Sequence, residues 1–214
     1  MRLLDAAGAI IFDFDGVVVD SEPISNRVFC ELLGELGVAM TVEQSTLTYV
    51  GMTLPMIVER VQLDHGRRVA DVVQRDLTRR MVAAFERELQ PMSGIEAVLE
   101  RLTQPRAVAS NSYPQRLDGA MDACGMRHWF GEHVYSAALV KNAKPAPDLF
   151  LYVAARLDVE PARCVVVEDS AGGIRAAVAA GMTAIGFVGG GHVLDGHAER
   201  LREAGAACTL DCWC

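Results

Sequence analysis

Lysine is nearly absent from this chain: of 20 basic residues 18 are Arg, and the two lysines are Lys141 and Lys144. Positive charge as a whole is short, since 28 Asp and Glu outnumber Lys and Arg and leave a net charge of -8. Binding to nucleic acid or to an anionic membrane needs a basic surface, so neither partner is expected. Long apolar runs are also missing. The longest stretch free of Asp, Glu, Lys and Arg, Ala176–Leu194, carries glycines at 181, 186, 189, 190 and 191. It reads as a helix end, a strand and a loop rather than a membrane span. At the N-terminus Asp5 stands where a signal peptide has its apolar core, so a cytoplasmic location is expected. Without such a signal the six cysteines are expected as reduced thiols. Cys208, Cys212 and Cys214 cluster at the other end but lack a fourth ligand at zinc spacing, and are expected to be free thiols near a frayed end.

What is present is an ordinary globular composition: 214 residues, 51% hydrophobic and 22% charged. That size gives one large domain or two small ones and buries roughly 70% of the unfolded surface. The hydrophobic period changes along the chain. Ala9–Phe12, Ala107–Ala109, His133–Tyr135, Cys164–Val167 and Ala184–Phe187 read as strands. Between the first two, Ile24 to Leu36, Met56 to Val61 and Val73 to Leu89 repeat at helical spacing, and residues 20–90 hold no convincing strand. Ser93 and Glu96 have the spacing of a capping box opening a helix that carries Ile95, Val98, Leu99 and Leu102. Further helices are expected at about 113–124, from Leu149 to Leu157, over 171–180 and over 197–204. Repeated strand–helix units imply an α/β fold: a Rossmann-like parallel sheet with helices on both faces. The boundaries expected are 1–19 and 91–214 for this core and 20–90 for a small all-helical cap domain.

In a parallel sheet, ligands gather at the carboxyl ends of the strands. Those ends read Asp13-Phe14-Asp15-Gly16, Ser110-Asn111-Ser112 and Glu168-Asp169-Ser170, with Lys144-Pro145 in the loop after the weakest strand. Asp13 and Asp15, two apart, suit divided labour, one ionised as nucleophile and the other holding a proton as general acid. Equally, two acids can simply end a strand. Ser110 and exposed amide groups could cradle an anion, while Ser112 and Gln115 could merely cap a helix. Lys144 is a lysine in a chain that writes arginine, and a compact charge can touch a carboxylate and a phosphate oxygen together. Glu168 and Asp169 offer the hard oxygen donors that Mg²⁺ takes. Capping at Ser170 is the plainer reading of that end.

Taken together and in order, these segments resemble the haloacid dehalogenase-like hydrolases. Asp13-Phe14-Asp15-Gly16-Val17-Val18-Val19-Asp20-Ser21-Glu22 is similar to the first motif of that superfamily. Ser110-Asn111, Lys144-Pro145 and Val165 through Ile174 are similar to the second, third and fourth. The resemblance covers nearly the whole chain and implies a helical cap inserted after the first strand. It implies that Asp13 becomes an aspartyl-phosphate and that Asp15 protonates the leaving oxygen, then deprotonates water. Ser110, the Asn111 backbone and Lys144 would hold the phosphoryl oxygens, with Gly16 beside them. Mg²⁺ would sit on Asp13, the Asp15 main-chain carbonyl and Asp169, with Glu168 a ligand or a neighbour.

Within the superfamily Asp15 argues against a dehalogenase and against an ion-pumping ATPase. Residues 20–90 hold no lysine, which argues against a phosphonate hydrolase and its Schiff base. A phosphomutase of the beta-phosphoglucomutase kind is expected to carry a histidine about a dozen residues after the nucleophile, where this chain has Ile24-Ser25-Asn26. A phosphatase of a small phosphate ester, a sugar phosphate or phosphorylated sugar acid, is therefore preferred over a mutase. From a different class, a phospho-receiver domain has similar residues but no long helical insert. Arg60, Arg67, Arg68 and Glu22 are candidates to meet the leaving group. A monomer or small homo-oligomer is expected.

Overall fold

The structure, a computed structural model, describes residues 2–49, 54–66 and 70–214. A short helix α1 (Arg2–Asp5) precedes the first strand β1 (Ala9–Phe12). Four helices follow: α2 (Glu22–Glu35), α3 (Val42–Tyr49), α4 (Leu54–His65) and α5 (Ala70–Glu88). Next come α6 (Ile95–Arg101), β2 (Arg106–Ser110), α7 (Pro114–Ala123), α8 (Arg127–Phe130) and β3 (Val134–Ser136). The chain continues through α9 (Asp148–Arg156), β4 (Cys164–Glu168), α10 (Ala171–Ala179), β5 (Thr183–Phe187), α11 (His197–Glu203) and β6 (Cys208–Leu210).

All six strands pair in parallel, in the order β3-β2-β1-β4-β5-β6. Successive side chains of a strand face opposite ways, and here both ways are covered. Ile10, Phe12 and Val108 pack into one core with Ile95, Val98 and Leu117 from α6 and α7. Ala9, Ile11, Ala107 and Ala109 pack into the other with Leu149, Val153 and Ile174 from α9 and α10. Strand order reverses between β1 and β4. Such a switch point opens a crevice beyond the carboxyl ends of the strands.

Between β1 and β2 the described helices are α2 to α6, joined by turns and loops. Helices α2, α4 and α5 share a separate core, in which Val28, Phe29, Leu32 and Leu33 of α2 meet Val58 and Val61 of α4 and Leu77 and Ala84 of α5. The chain leaves and returns side by side: Val19 bridges Pro91 antiparallel, Met92 N–H bonds Val18 C=O at 2.8 Å, and Asp20 N–H bonds Gln90 C=O at 3.3 Å. The side chain of Val73 lies outside the described residues, as do Arg67 and Arg68.

Two local expectations give way, the cap of α6 and the frayed end with free thiols, and two elements, α3 and β6, stand where no element is expected. Helix α6 is not opened by a Ser93–Glu96 box. Its N-cap is Gly94, at φ 84° and without a side-chain cap, because the chain end packs there and a Cβ on Gly94 would stand 2.9 Å from the Trp213 carbonyl oxygen. Helix α3 has only a weak apolar stripe, yet it carries a reciprocal box: Gln44 N–H bonds Thr41 Oγ1 and Thr41 N–H bonds Gln44 Oε1. Strand β6 is too short to show a period. The end of the chain is not frayed. Cys212 and Cys214 form a disulfide, and Trp213 between them is buried, stacked on Phe187 at 4.8 Å with its Nε1–H donating to Val17 C=O. No helix among the described residues is long and apolar enough to cross a membrane.

Candidate active site

The switch point collects the polar residues that the sequence singles out. Asp13 follows β1 and stays in the ladder, its N–H bonding Val167 C=O at 2.8 Å. The chain then turns sharply. Gly16 sits at φ 75°, with its N–H on Val19 C=O. A Cβ on Gly16 would stand 2.0 Å from Asp169 Oδ2. Glycine here gives both the left-handed backbone and the room for β4's terminal carboxylate to approach β1.

Lys144 ties three strand ends together. Its Nζ donates to Asp13 Oδ1 at 2.7 Å, to Glu168 Oε1 at 2.8 Å and to the Ala109 carbonyl at 2.7 Å. An ammonium has three donors, and all three are used. Burial pulls the Lys144 pKa down, but the Asp13 and Glu168 carboxylates outweigh it and leave it raised. Asn111 fixes the lysine's main chain, accepting from Lys144 N–H and donating to Lys144 C=O, both at 3.1 Å. Its side chain is thereby spent on the loop.

Asp15 is held quite differently from Asp13. Arg116 of α7 grips it with two parallel bonds, and hydroxyls of Ser21 at 2.5 Å and Ser112 at 2.7 Å donate to it as well. Ser110 Oγ lies 3.4 Å from the same carboxylate. Burial pushes the Asp15 carboxyl up, but Arg116 and the two hydroxyls overcome that and hold it below the usual carboxylate range. Burial pushes Asp13 well up. Lys144 pulls it back in part, and Glu168, Asp169 and Asp15 add to the rise. The two acids are thus shifted in opposite directions, Asp13 up through burial and Asp15 down through the guanidinium that sits on it. Ser112 is thus a partner of Asp15 rather than a helix cap, and the N-cap of α7 is Tyr113.

Glu168 and Asp169 end β4. Glu168 is fully engaged: Oε1 accepts from Lys144, and Oε2 accepts from both the N–H and the hydroxyl of Ser170. Ser170 also caps α10 by accepting from Gly173 N–H, so the capping and the site readings of this end hold together. Gly173 must be glycine for this approach, since a Cβ there would overlap Glu168 Oε1 at 1.8 Å.

Asp13, Glu168 and Asp169 each offer a ligand atom, all within 4.8 Å of one another. Burial raises Asp169, and neighbouring Glu168 and Asp15 add to it while His192 opposes. Crowded, buried carboxylate oxygens are a donor set suited to a hard divalent cation, whose charge would favour their ionised form. The residues present therefore fit Mg²⁺, with Asp13 and Asp169 better placed than Glu168, whose oxygens are already bonded.

Asp13, Asp15, Gly16, Ser110, Lys144, Glu168 and Asp169 meet in one place, with Asn111 bracing Lys144. Glu22 lies near Asp15, raised by burial and by that neighbour. Arg60 pairs with Asp64 on α4. Sequence reasoning missed Arg116, Ser21 and His192, whose Nε2 stands 3.0 Å from Asp169 Oδ2. Nothing in the local pattern separates Arg116 from the other arginines, although Ser21 lies inside the motif already quoted.

The comparisons agree with this geometry. Residues 7–181 match the family model for haloacid dehalogenase-like hydrolases. A 6-phosphogluconate phosphatase of Escherichia coli is 31% identical over 86% of this chain and 84% of its own length. A fructose-1-phosphate phosphatase of the same organism is 31% identical over 82% of this chain and 94% of its own. Among solved structures, a haloacid dehalogenase-like protein from Agrobacterium tumefaciens superposes with a TM-score of 0.87 at 39% identity, covering 97% of this chain and 94% of that one. A Thermotoga maritima protein assigned provisionally as a beta-phosphoglucomutase gives 0.77 at 26%, covering 94% and 93%. Motifs, sheet order, site and relatives converge, and the chain belongs to the haloacid dehalogenase-like hydrolases.

Proposed function

We propose that this chain is a Mg²⁺-dependent phosphatase that hydrolyses a small phosphorylated sugar or sugar acid through an aspartyl-phosphate on Asp13. Family membership and its phosphatase relatives make it a phosphoric monoester hydrolase. One observation carries the finer reading: the Lys144 ammonium bonded at once to Asp13 and Glu168 at the switch point of the sheet. It neutralises the nucleophile's surroundings so that a phosphate dianion can approach two carboxylates.

In this reading an Asp13 oxygen attacks phosphorus and the ester P–O bond breaks. The leaving oxygen takes a proton from Asp15. Water then attacks the phosphorus of the aspartyl-phosphate, Asp15 accepts its proton, and the bond to Asp13 breaks to free inorganic phosphate. Arg116 favours the ionised Asp15 that the second half needs, so the first half requires a looser grip. Ser110, the Asn111 N–H and Lys144 receive the phosphoryl oxygens. Asp13, Asp169 and the Asp15 main-chain carbonyl would hold Mg²⁺, which supplies charge neutralisation at the phosphoryl group. Residues 20–90 form the cap over a core of 1–19 and 91–214. Their separate hydrophobic cluster and the paired crossings at Val19 and Pro91 support that division.

The test is phosphate release across a panel of phosphorylated sugars and sugar acids, by the wild-type chain and by Asp13→Asn. Release by the wild type, lost in Asp13→Asn with the circular dichroism spectrum kept, is expected. Undiminished release by Asp13→Asn would overturn the reading.

A further inference from the structure

Asp169 is held from two sides by histidines that none of the motif segments contains. His192, in the loop after β5, places Nε2 3.0 Å from Asp169 Oδ2. His197, the first residue of α11, places Nε2 2.6 Å from the Asp169 main-chain oxygen. The two rings meet edge to face, 5.9 Å apart at 87°. Arg200 fixes the His197 tautomer: its guanidinium donates to Nδ1, so Nε2 carries the hydrogen and donates to the Asp169 carbonyl. Main chain and side chain of Asp169 are therefore anchored separately.

The loop is shaped to deliver His192. Gly191 N–H bonds Asp20 Oδ1 at 3.1 Å, and Val193 N–H closes a turn onto Gly190 C=O at 3.2 Å. A Cβ on Gly190 would stand 2.8 Å from the His192 ring, and a Cβ on Gly16 would stand 2.9 Å from it. Both glycines thus make room for this imidazole beside Asp169. His192 Nδ1 is buried and bonds nothing in the described structure, so the ring's visible polar contact is the one to Asp169. With Oδ2 taken, Oδ1 is the Asp169 oxygen left for the carboxylate cluster.

We propose that His192 is a positioning residue for the divalent-cation site: it fixes the Asp169 carboxylate so that one oxygen is preset toward the cation, with His197 anchoring the main chain beneath it. This rests on the reading of Asp169 as a cation ligand. Outer partners of this kind typically tune metal affinity by about 10–100-fold.

The experiment measures Mn²⁺ binding to the metal-free full-length chain at fixed pH, by electron paramagnetic resonance of the free ion and by calorimetry. The variants are His192→Ala, His192→Gln and Asp169→Ala, with thermal melts alongside. His192→Ala is expected to weaken Mn²⁺ by about 10–100-fold. His192→Gln, which can still present an N–H to Oδ2, is expected to recover most of that loss. A merely structural role would lower the melting temperature without this rescue. Wild-type affinity in His192→Ala, or equal losses in Ala and Gln, would overturn the proposal while Asp169→Ala still loses the ion. Wild-type affinity in Asp169→Ala would overturn the ligand reading itself and the proposal with it.

Discussion

Arg116 holds Asp15 by both carboxylate oxygens, Nη1 to Oδ2 and Nη2 to Oδ1, each at 2.9 Å. The same guanidinium donates to Ser25 Oγ on α2 at 3.2 Å and lies 5.2 Å from the centre of the Phe85 ring on α5. One side chain of α7 therefore joins the candidate acid–base residue to helices α2 and α5.

Both partners are largely buried, at 16% and 14% side-chain exposure, so removing one strands the other's charge. Arg116→Gln is expected to destabilise the chain by about 3–5 kcal/mol. The double variant Asp15→Asn/Arg116→Gln should be clearly more stable than Arg116→Gln alone, because no unpaired charge remains. Urea unfolding of the four members of the cycle measures this. A double variant no better than the single would mean that the ion pair is not what Arg116 contributes.

Trp213 makes a second link between distant parts of the chain. Its indole stacks on Phe187, lies 5.8 Å from Phe12, and donates to Val17 C=O just beyond Gly16. Trp213→Ala is expected to cost roughly 3–5 kcal/mol, as large buried aromatics do. Since Val17 belongs to the turn carrying Asp15, kcat should fall as well at temperatures where the variant is still folded. Thermal melts and steady-state kinetics of the variant check both parts.

Much of this fold and site was legible because its determinants are local. Four of the five expected strands are apolar runs whose two faces are covered, His133–Tyr135 being the weaker, half-buried one, and the acids that end β1 and β4 stand where the apolar run stops. What was not legible depends on remote contacts. Gly94 replaces Ser93 as the cap of α6 because Trp213, from the far end of the chain, packs there. The Thr41–Gln44 box at α3 was a readable pattern, but it opens a helix with a weak apolar stripe. Arg116 and His192 were hidden for another reason. Their partners Asp15 and Asp169 lie far away in sequence, and only the sheet order brings them together.

The carboxylate cluster predicts a metal requirement with a definite selectivity. Chelation by EDTA should abolish phosphate release and Mg²⁺ should restore it. Ca²⁺ should support it poorly, since it prefers more ligands at longer distances than an octahedral site offers. Asp169→Ala should raise the Mg²⁺ concentration needed for half-maximal activity, whereas Glu168→Gln, whose parent oxygens are taken by Lys144 and Ser170, should raise it less. Activation curves for the three chains measure the order. Full activity in chelator, or the reverse order for the two variants, would contradict the assignment of ligands.

The last prediction concerns the acceptor of the phosphoryl group. A mutase must protect its aspartyl-phosphate from water until a second sugar phosphate arrives, and it needs cap groups that bind that phosphate in either orientation. Residues 20–90 contain no lysine. At the place where a mutase is expected to carry a gating histidine, this chain has Ser25, and its hydroxyl is engaged by Arg116. Among the described side chains of α2 and α5 the arginines face acids: Arg27 pairs with Glu31 and Glu88, Arg80 with Glu35 through two bonds, Arg79 with Asp76 and Arg87 with Glu88. Arg116 holds the Asp15 carboxyl below the usual carboxylate range, which in the proposed mechanism favours its service as the base that activates water. The aspartyl-phosphate should therefore react with water, giving one inorganic phosphate for each ester consumed. Phosphorus NMR of the chain incubated with hexose phosphates follows every species at once. Isomerised hexose phosphate without matching inorganic phosphate would move the protein to the mutase branch.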